Sequence, residues 1–362
     1  VAIGGIAFTN ILIFTQLGFR ALFTRGATVL PKSLSGDLFL LNPSAKFIGS
    51  NGFARIHLYQ ASAIKGVATA VPVYISEATW AYSKDNVSFS TRVFAFNPRQ
   101  TVFRIPEVNQ QLAKFNQPNS VLFDRLAKAT LGPVAQEFAD KGKVRVLLKN
   151  QRISVVGLFS MGNSFFLGEG NIVTSEATYA YLFGDSTLKQ VSIGVLTLKP
   201  GANVEAVKAG IKAHVPGVEV FDKKGLIAKE LEFQETNPTG PIFNFGIMMG
   251  CVVGIVIVYQ VLYADVSDHL AEYATLKAMG YSDKALLGVI FQEAIILAII
   301  GFIPGFSASL WVYSLLASMT RLELVIDPNI AITVFILTIL VCIISAAIAS
   351  SKLRSADPAD VF

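Results

Sequence analysis

The residue types that could do chemistry are few and widely spaced. His57, His214 and His269 are the three histidines. They have no H-E-x-x-H spacing and no cysteine company, so they do not read as a zinc site. Cys251 and Cys342, the two cysteines, both fall in apolar runs; the polar part of the chain has no disulfide framework, and cysteine usage does not report a compartment. No G-x-x-x-x-G-K-[ST] loop occurs, so the chain does not hydrolyse ATP by itself, and no G-x-S-x-G nucleophile elbow is present. The glycine-rich MGNSFFLGEG at 161–170 has the composition of a ligand loop. Without a phosphate-facing helix signature after it, it reads as a turn-dense connection between strands. The sequon Asn86-Val87-Ser88 carries weight only for a known host. Two features remain: an acid inside an apolar run, Glu293, and a polar stretch, EYATLKAMGYS at 272–282, between two of the longest apolar runs.

The elements that position these features are set by composition. The chain of 362 residues is 52% hydrophobic and only 15% charged, which excludes an ordinary soluble domain. Ile242 to Ala264 is 23 residues without a charge and Ile330 to Ser350 is 21. Each can cross roughly 30 Å of hydrocarbon as a helix. Residues 285–319 form another span, interrupted only by Glu293 and the Gly301/Pro304/Gly305 cluster. The first span is weaker, with Asn10 and Gln16 inside it. Since residue 1 is not Met and no cationic leader precedes the run, residues 1–23 read as a first transmembrane helix truncated at its N-terminus.

Residues 24–240 hold 24 of the Lys/Arg and 16 of the Asp/Glu, which makes that stretch a water-exposed domain able to bury its own core. Its positive surplus is that of a solvated basic surface, and nucleic acid is not indicated. Lys143 to Phe159 predicts two strands around a Lys149-Asn150 turn. Gln190 to Leu198 predicts a strand, Val204 to His214 a helix and Val218 to Phe221 a strand, an α+β pattern. Residues 222–235 predict a charged helix leading into the second span. The expected fold is therefore a membrane protein of four transmembrane α-helices with a large α+β extracytoplasmic domain inserted between helices 1 and 2. Its segments are 1–23, 24–240, 241–264 (helix 2), 265–284 (a connection carrying a short helix), 285–319 (helix 3), 330–351 (helix 4) and 352–362 (the tail).

Sidedness follows from Lys277 and Lys284 in the 265–284 connection and Lys352 and Arg354 in the tail, against Arg321 in the 320–329 connection. This bias puts 272–282 and the tail in the cytoplasm. The large domain then lies outside it. Gly246, Gly250 and Gly254 recur every four residues and give the second span one flat face, suited either to a dimer or sliding interface or to packing against another helix of the chain. Glu293, eight residues into its span, suits an interfacial position better than a proton relay. Pro304, with Gly301 and Gly305, is expected to bend the third span. Asp268 to Met279 predicts a helix stopped by Gly280, with Ser282 and Asp283 capping the next one. Leu270, Tyr273, Ala274 and Lys277 share one face of that helix, which could rest on lipid or fill a groove on another protein.

Five stretches together carry a family resemblance: GIAFTNILIFTQLGFR (5–20), LSGDLFLLNPS (34–44), VVGLFSMGNSFFLGEGNIVTS (155–175), EYATLKAMGYSDKALLGVIFQEA (272–294) and KLRSADPADVF (352–362). In them the chain resembles a MacB/FtsX-type ABC transporter permease, and most closely the DevC-type permease of cyanobacterial exporters. The resemblance runs nearly end to end and is most specific at 272–294 and 352–362. It implies a homodimer in the bacterial inner membrane, with the large domain in the periplasm and a separate ABC ATPase subunit binding ATP and Mg, so that no cofactor and no enzymatic activity belong to this chain. Residues Glu272, Tyr273, Ala274, Leu276, Lys277, Ala278, Met279 and Gly280 correspond to the coupling helix that seats in a groove of the ATPase. The resemblance further implies mechanotransmission, with the second span and the helix near 222–235 passing motion to the periplasmic domain. Hydrophobic cargo such as lipid or glycolipid would then be exported through a membrane-fusion adaptor and a TolC-like outer-membrane channel. The same fold also serves FtsX-like signalling scaffolds that activate a cell-wall hydrolase, and lipoprotein-extraction permeases.

Overall fold

The structure is a computed structural model that describes residues 2–82, 88–162, 168–237, 239–320 and 326–355. The sequon Asn86, the centre of the 161–170 stretch, Arg321 and the end of the tail beyond residue 355 lie outside the described residues. The chain divides into two compact units, one of Val1–Ala21 with Pro238–Phe362 and one of Leu22–Asn237.

Among the described residues, four helical segments are long and apolar enough to cross a membrane, Ile3–Ser33, Gly240–Asp268, Lys284–Ala317 and Pro328–Ser350, here called spans 1 to 4; the last three lie in the first unit, and span 1 begins in it. The helix of span 1 is longer than the apolar run that announces it, Ala2–Ser33, because nothing in residues 20–30 breaks a helix and Pro31 arrives only in its last turn. The helix Asp283–Thr320 runs unbroken through Pro304.

In the second unit, nine strands form one sheet in the order Glu219–Asp222, Leu38–Leu41, Ile193–Leu198, Val67–Ala81, Phe89–Phe96, Asn171–Ser175, Ser120–Asp124, Gln151–Phe159 and Val144–Leu148. The last strand pairs back onto the end of the long fourth one, Trp80 with Leu148 and Ala81 with Leu147, so six strands close into a barrel. Closure abolishes free edges on that side. Side chains alternate across it with period two. Tyr74, Ala78 and Trp80, Val93 and Ala95, and Val121 and Phe123 share one core with Val146, Leu148, Ile153 and Val155. The intervening Phe94, Phe96, Leu122 and Val173 belong to a second core with Phe39, Phe103 and Phe115.

Within this domain the expected hairpin forms, Val144–Leu148 against Gln151–Phe159, with Lys149 at φ 51° and Asn150 at φ 62°. Two residues in the left-handed region match the twist of the flanking strands. The helix Val204–His214 starts where Asn203 accepts from the N–H groups of Glu205 and Ala206. The strands on either side of that helix are not neighbours: Leu38–Leu41 inserts between Ile193–Leu198 and Glu219–Asp222, antiparallel to both. A strand from far earlier in the chain thus splits the strand-helix-strand unit.

Candidate functional site

The helix of span 2 ends at Asp268, and His269, at φ −100° and ψ 12°, opens a separate short helix, Leu270–Ala278. The His269 ring donates through Nδ1 to the carbonyl of Asp265 at 3.0 Å. With Glu272, Asp265 and Asp268 close by, that hydrogen bond holds the imidazole above its ordinary pKa. The short helix ends on Gly280 at φ +94°, with the Gly280 N–H donating to Lys277 O and the Tyr281 N–H to Leu276 O. Such a left-handed close favours glycine and turns the chain sharply. Ser282 then caps the next helix, its Oγ accepting from the Ala285 N–H at 3.4 Å.

The faces of this helix differ from expectation. Tyr273 and Leu276 are half-buried and pack into the same apolar cluster as Val266, Leu286 and Ile290, so the apolar face is filled by the ends of spans 2 and 3. The reason is proximity: a nine-residue helix joined to the spans by one residue on one side and four on the other lays its apolar stripe on them before anything else can take it. Lys277 is half-buried, Glu272 and Thr275 are exposed, and the side chains of Ala274 and Ala278 lie outside the described residues. The exposed apolar groups are Met279 at 64% and Tyr281 at 56% exposure. Tyr281 is absent from the sequence-based set because it follows the helix stop; the signal that places it is Gly280, whose positive φ sends the next side chain outward.

Glu293 is half-buried and lies close to the Asp265 carboxyl at the end of span 2. His269 and Tyr273 lie near this pair, which ties span 2, the short helix and span 3 together. Among the described residues no group of three His, Cys, Asp or Glu converges as a metal site.

Gly246, Gly250 and Gly254 of span 2 and Gly301 and Gly305 of span 3 face span 1. A Cβ at Gly246 would meet the Gln16 amide at 2.5 Å, one at Gly250 would meet Ile13 at 3.1 Å, and one at Gly254 would meet Thr9 at 2.6 Å. On span 3, a Cβ at Gly301 would meet Ile6 at 2.7 Å, and one at Gly305 would meet Asn10 at 2.7 Å and Ala7 at 3.1 Å. Of the two readings of the Gly246/Gly250/Gly254 face, the structure takes packing within the chain: span 1 lies between the small-residue faces of spans 2 and 3. Pro304, on the same helix, is exposed. Polar ties join the spans. Thr338 donates to Asn10 Oδ1 at 2.6 Å, Ser345 donates to the Ile255 carbonyl at 3.0 Å, and the Tyr313 hydroxyl donates to the Phe14 carbonyl. Such bonds are each worth about 1 kcal/mol in a membrane.

Residues 244–358 match the family model of the FtsX-like permease C-terminal domain. Two proteins named as uncharacterized ABC transporter permeases, one from Mycobacterium bovis and one from Mycobacterium tuberculosis, are 21% identical over 365 residues, which span 99% of this chain and 93% of each relative. Among solved structures, the periplasmic region of MacB from Actinobacillus actinomycetemcomitans is similar at 12% identity and a TM-score of 0.36, over 54% of this chain and 92% of that one. The extracellular domain of the YknZ transporter from Gram-positive bacteria gives 12% identity and a TM-score of 0.36, over 51% of this chain and 99% of that one.

Proposed function

We propose, starting from a chain that is an ABC transporter permease of the MacB/FtsX type, that it couples a separate ATPase on the cytoplasmic side to export on the other side of the bacterial inner membrane. The observation that carries this reading is the short helix Leu270–Ala278. Its apolar face is anchored on spans 2 and 3, and it presents Glu272, Thr275, Met279 and Tyr281 outward. A helix held this way moves with the spans when a partner pushes it. The packing of Tyr273 and Leu276 adds stiffness between that helix and the membrane segments.

In this account ATP and Mg bind to the partner ATPase, and the chain contributes no catalytic group. The domain 22–237 lies in the periplasm and receives motion through span 2 and the helix Lys223–Thr236 that precedes it. Working with an adaptor and an outer-membrane channel, it exports hydrophobic cargo of the lipid or glycolipid class. A second copy completes the transporter. The Gly246/Gly250/Gly254 face is occupied by span 1, so that copy meets the chain elsewhere in the membrane. The exposed stripe Ile242, Phe245, Met249, Val252 and Val256 on span 2 offers an apolar surface for it or for lipid. Photocrosslinking from a probe at Tyr281 tests the reading. An adduct with an ABC ATPase is expected, and adducts with lipid alone would overturn it.

A further inference from the structure

We propose that Glu230 is a proton-dependent clamp on the helix Lys223–Thr236: the protonated carboxyl holds the helix against the loop 42–52, and the ionised carboxylate loosens it. The helix is seated by one face. Leu226 is fully buried, Glu230 is 6% exposed, and the Phe233 ring lies 4.8 Å from the ring of Phe47. These positions, four and seven residues on from Leu226, fall on one side of a helix. A charged side chain at the centre of such a face costs stability unless it is well partnered.

Two other charged residues of the domain, Arg92 and Asp124, are also buried. Asp124 is well supplied with donors, accepting from the N–H groups of Leu126 and Met161 and from the Asn171 amide. Glu230 accepts from the Ile48 N–H at 2.5 Å, a bond that ties the helix to the loop. The charged groups that act on it are Arg92, from the strand Phe89–Phe96, and Lys229, from its own helix. Lys229 is drawn aside to Glu219 at 3.6 Å and to the Phe221 ring at 5.1 Å. Arg92 divides its attraction between Glu230 and Glu77, and burial lowers it to about 10, which leaves it charged. Lys46 of the loop is exposed.

Burial pushes the Glu230 carboxyl up to about 7, against the pull of the Ile48 N–H, Arg92 and Lys229. A carboxyl raised in the folded state contributes stability that is complete below its unfolded pKa and is lost as pH rises through 7. The helix it clamps ends two residues before the helix Thr239–Asp268 begins. The protonation state of one buried side chain therefore acts on the segment that leads into span 2.

The test uses the full chain in detergent micelles. Trp80, buried in the barrel, reports melting of the domain, in a Trp311→Phe background that removes the exposed tryptophan of span 3. The melting temperature is expected to fall by roughly 5 °C between pH 5.5 and pH 8.5. Glu230→Gln, which keeps the side chain's size and an acceptor for Ile48, is expected to flatten that fall. A fall of the same size in the variant would overturn the proposal. Should the variant fail to fold, hydrogen exchange at the Ile48 amide of the unmutated chain decides. Protection that drops across this range, after correction for intrinsic exchange, supports the clamp, and constant protection overturns it.

Discussion

Gly305 and Gly288 lie on the same helix, yet the same substitution at the two sites should have opposite effects. A Cβ at Gly305 would come within 2.7 Å of the Asn10 Cβ and 3.1 Å of the Ala7 Cα, whereas one at Gly288 meets nothing within 4 Å. Carbon atoms sit comfortably at roughly 3.5–4.0 Å, so Gly305→Ala must push span 1 away by about 1 Å. The atoms in the way are a Cα and a Cβ, which cannot swing aside as a side-chain end can. Overpacking of this kind costs about 1–3 kcal/mol. The helix-propensity gain of Gly→Ala, up to about 1 kcal/mol, is common to both sites and cancels in the comparison. Unfolding of the full chain in mixed detergent and SDS micelles should therefore place Gly305→Ala about 1–3 kcal/mol below Gly288→Ala. A difference under about 0.5 kcal/mol, the range of an uninvolved surface site, would refute the packing of span 1 against span 3.

Gly246→Ala should cost less than Gly305→Ala in the same assay, because the atoms it meets are the amide end of Gln16, which can rotate away. Asp124→Ala strips the acceptor from three donors and should destabilise the domain by roughly 2–4 kcal/mol, read from Trp80 fluorescence. Asn150→Ala places a side chain that disfavours the left-handed region at a φ of 62° and should destabilise the hairpin by roughly 1 kcal/mol; no change in domain melting would argue against the turn.

Part of this molecule is legible residue by residue. Charge-free runs of 20 residues or more mark spans 2 and 4, since only a lipid-facing or deeply buried helix tolerates them. The Lys149-Asn150 turn and the helix Val204–His214 follow from local turn chemistry and capping. The insertion of Leu38–Leu41 between Ile193–Leu198 and Glu219–Asp222 is not legible, nor is the closure of the barrel by Trp80 and Leu148. Pairing across gaps of 60 to 180 residues leaves no trace in local periodicity. The same limit governs the spans. The repeat of Gly246, Gly250 and Gly254 announces a close approach, but only the fold shows that Gln16, Ile13 and Thr9 fill it. At the short helix, periodicity marks Tyr273 and Leu276 as one apolar stripe without showing that the chain's own spans cover them. It is the end of the helix, Met279 and Tyr281, that stays exposed.

The decisive measurement is co-purification of the full chain with a co-expressed ABC ATPase, comparing the unmutated protein with Met279→Arg. Met279 is exposed, so the charge should leave folding intact, whereas Leu276→Arg would also disturb the cluster it packs into. The account predicts that the unmutated chain retains the ATPase and that Met279→Arg loses it with an unchanged melting temperature. An ATPase held equally by both forms, or by neither, would contradict the role given to the helix Leu270–Ala278.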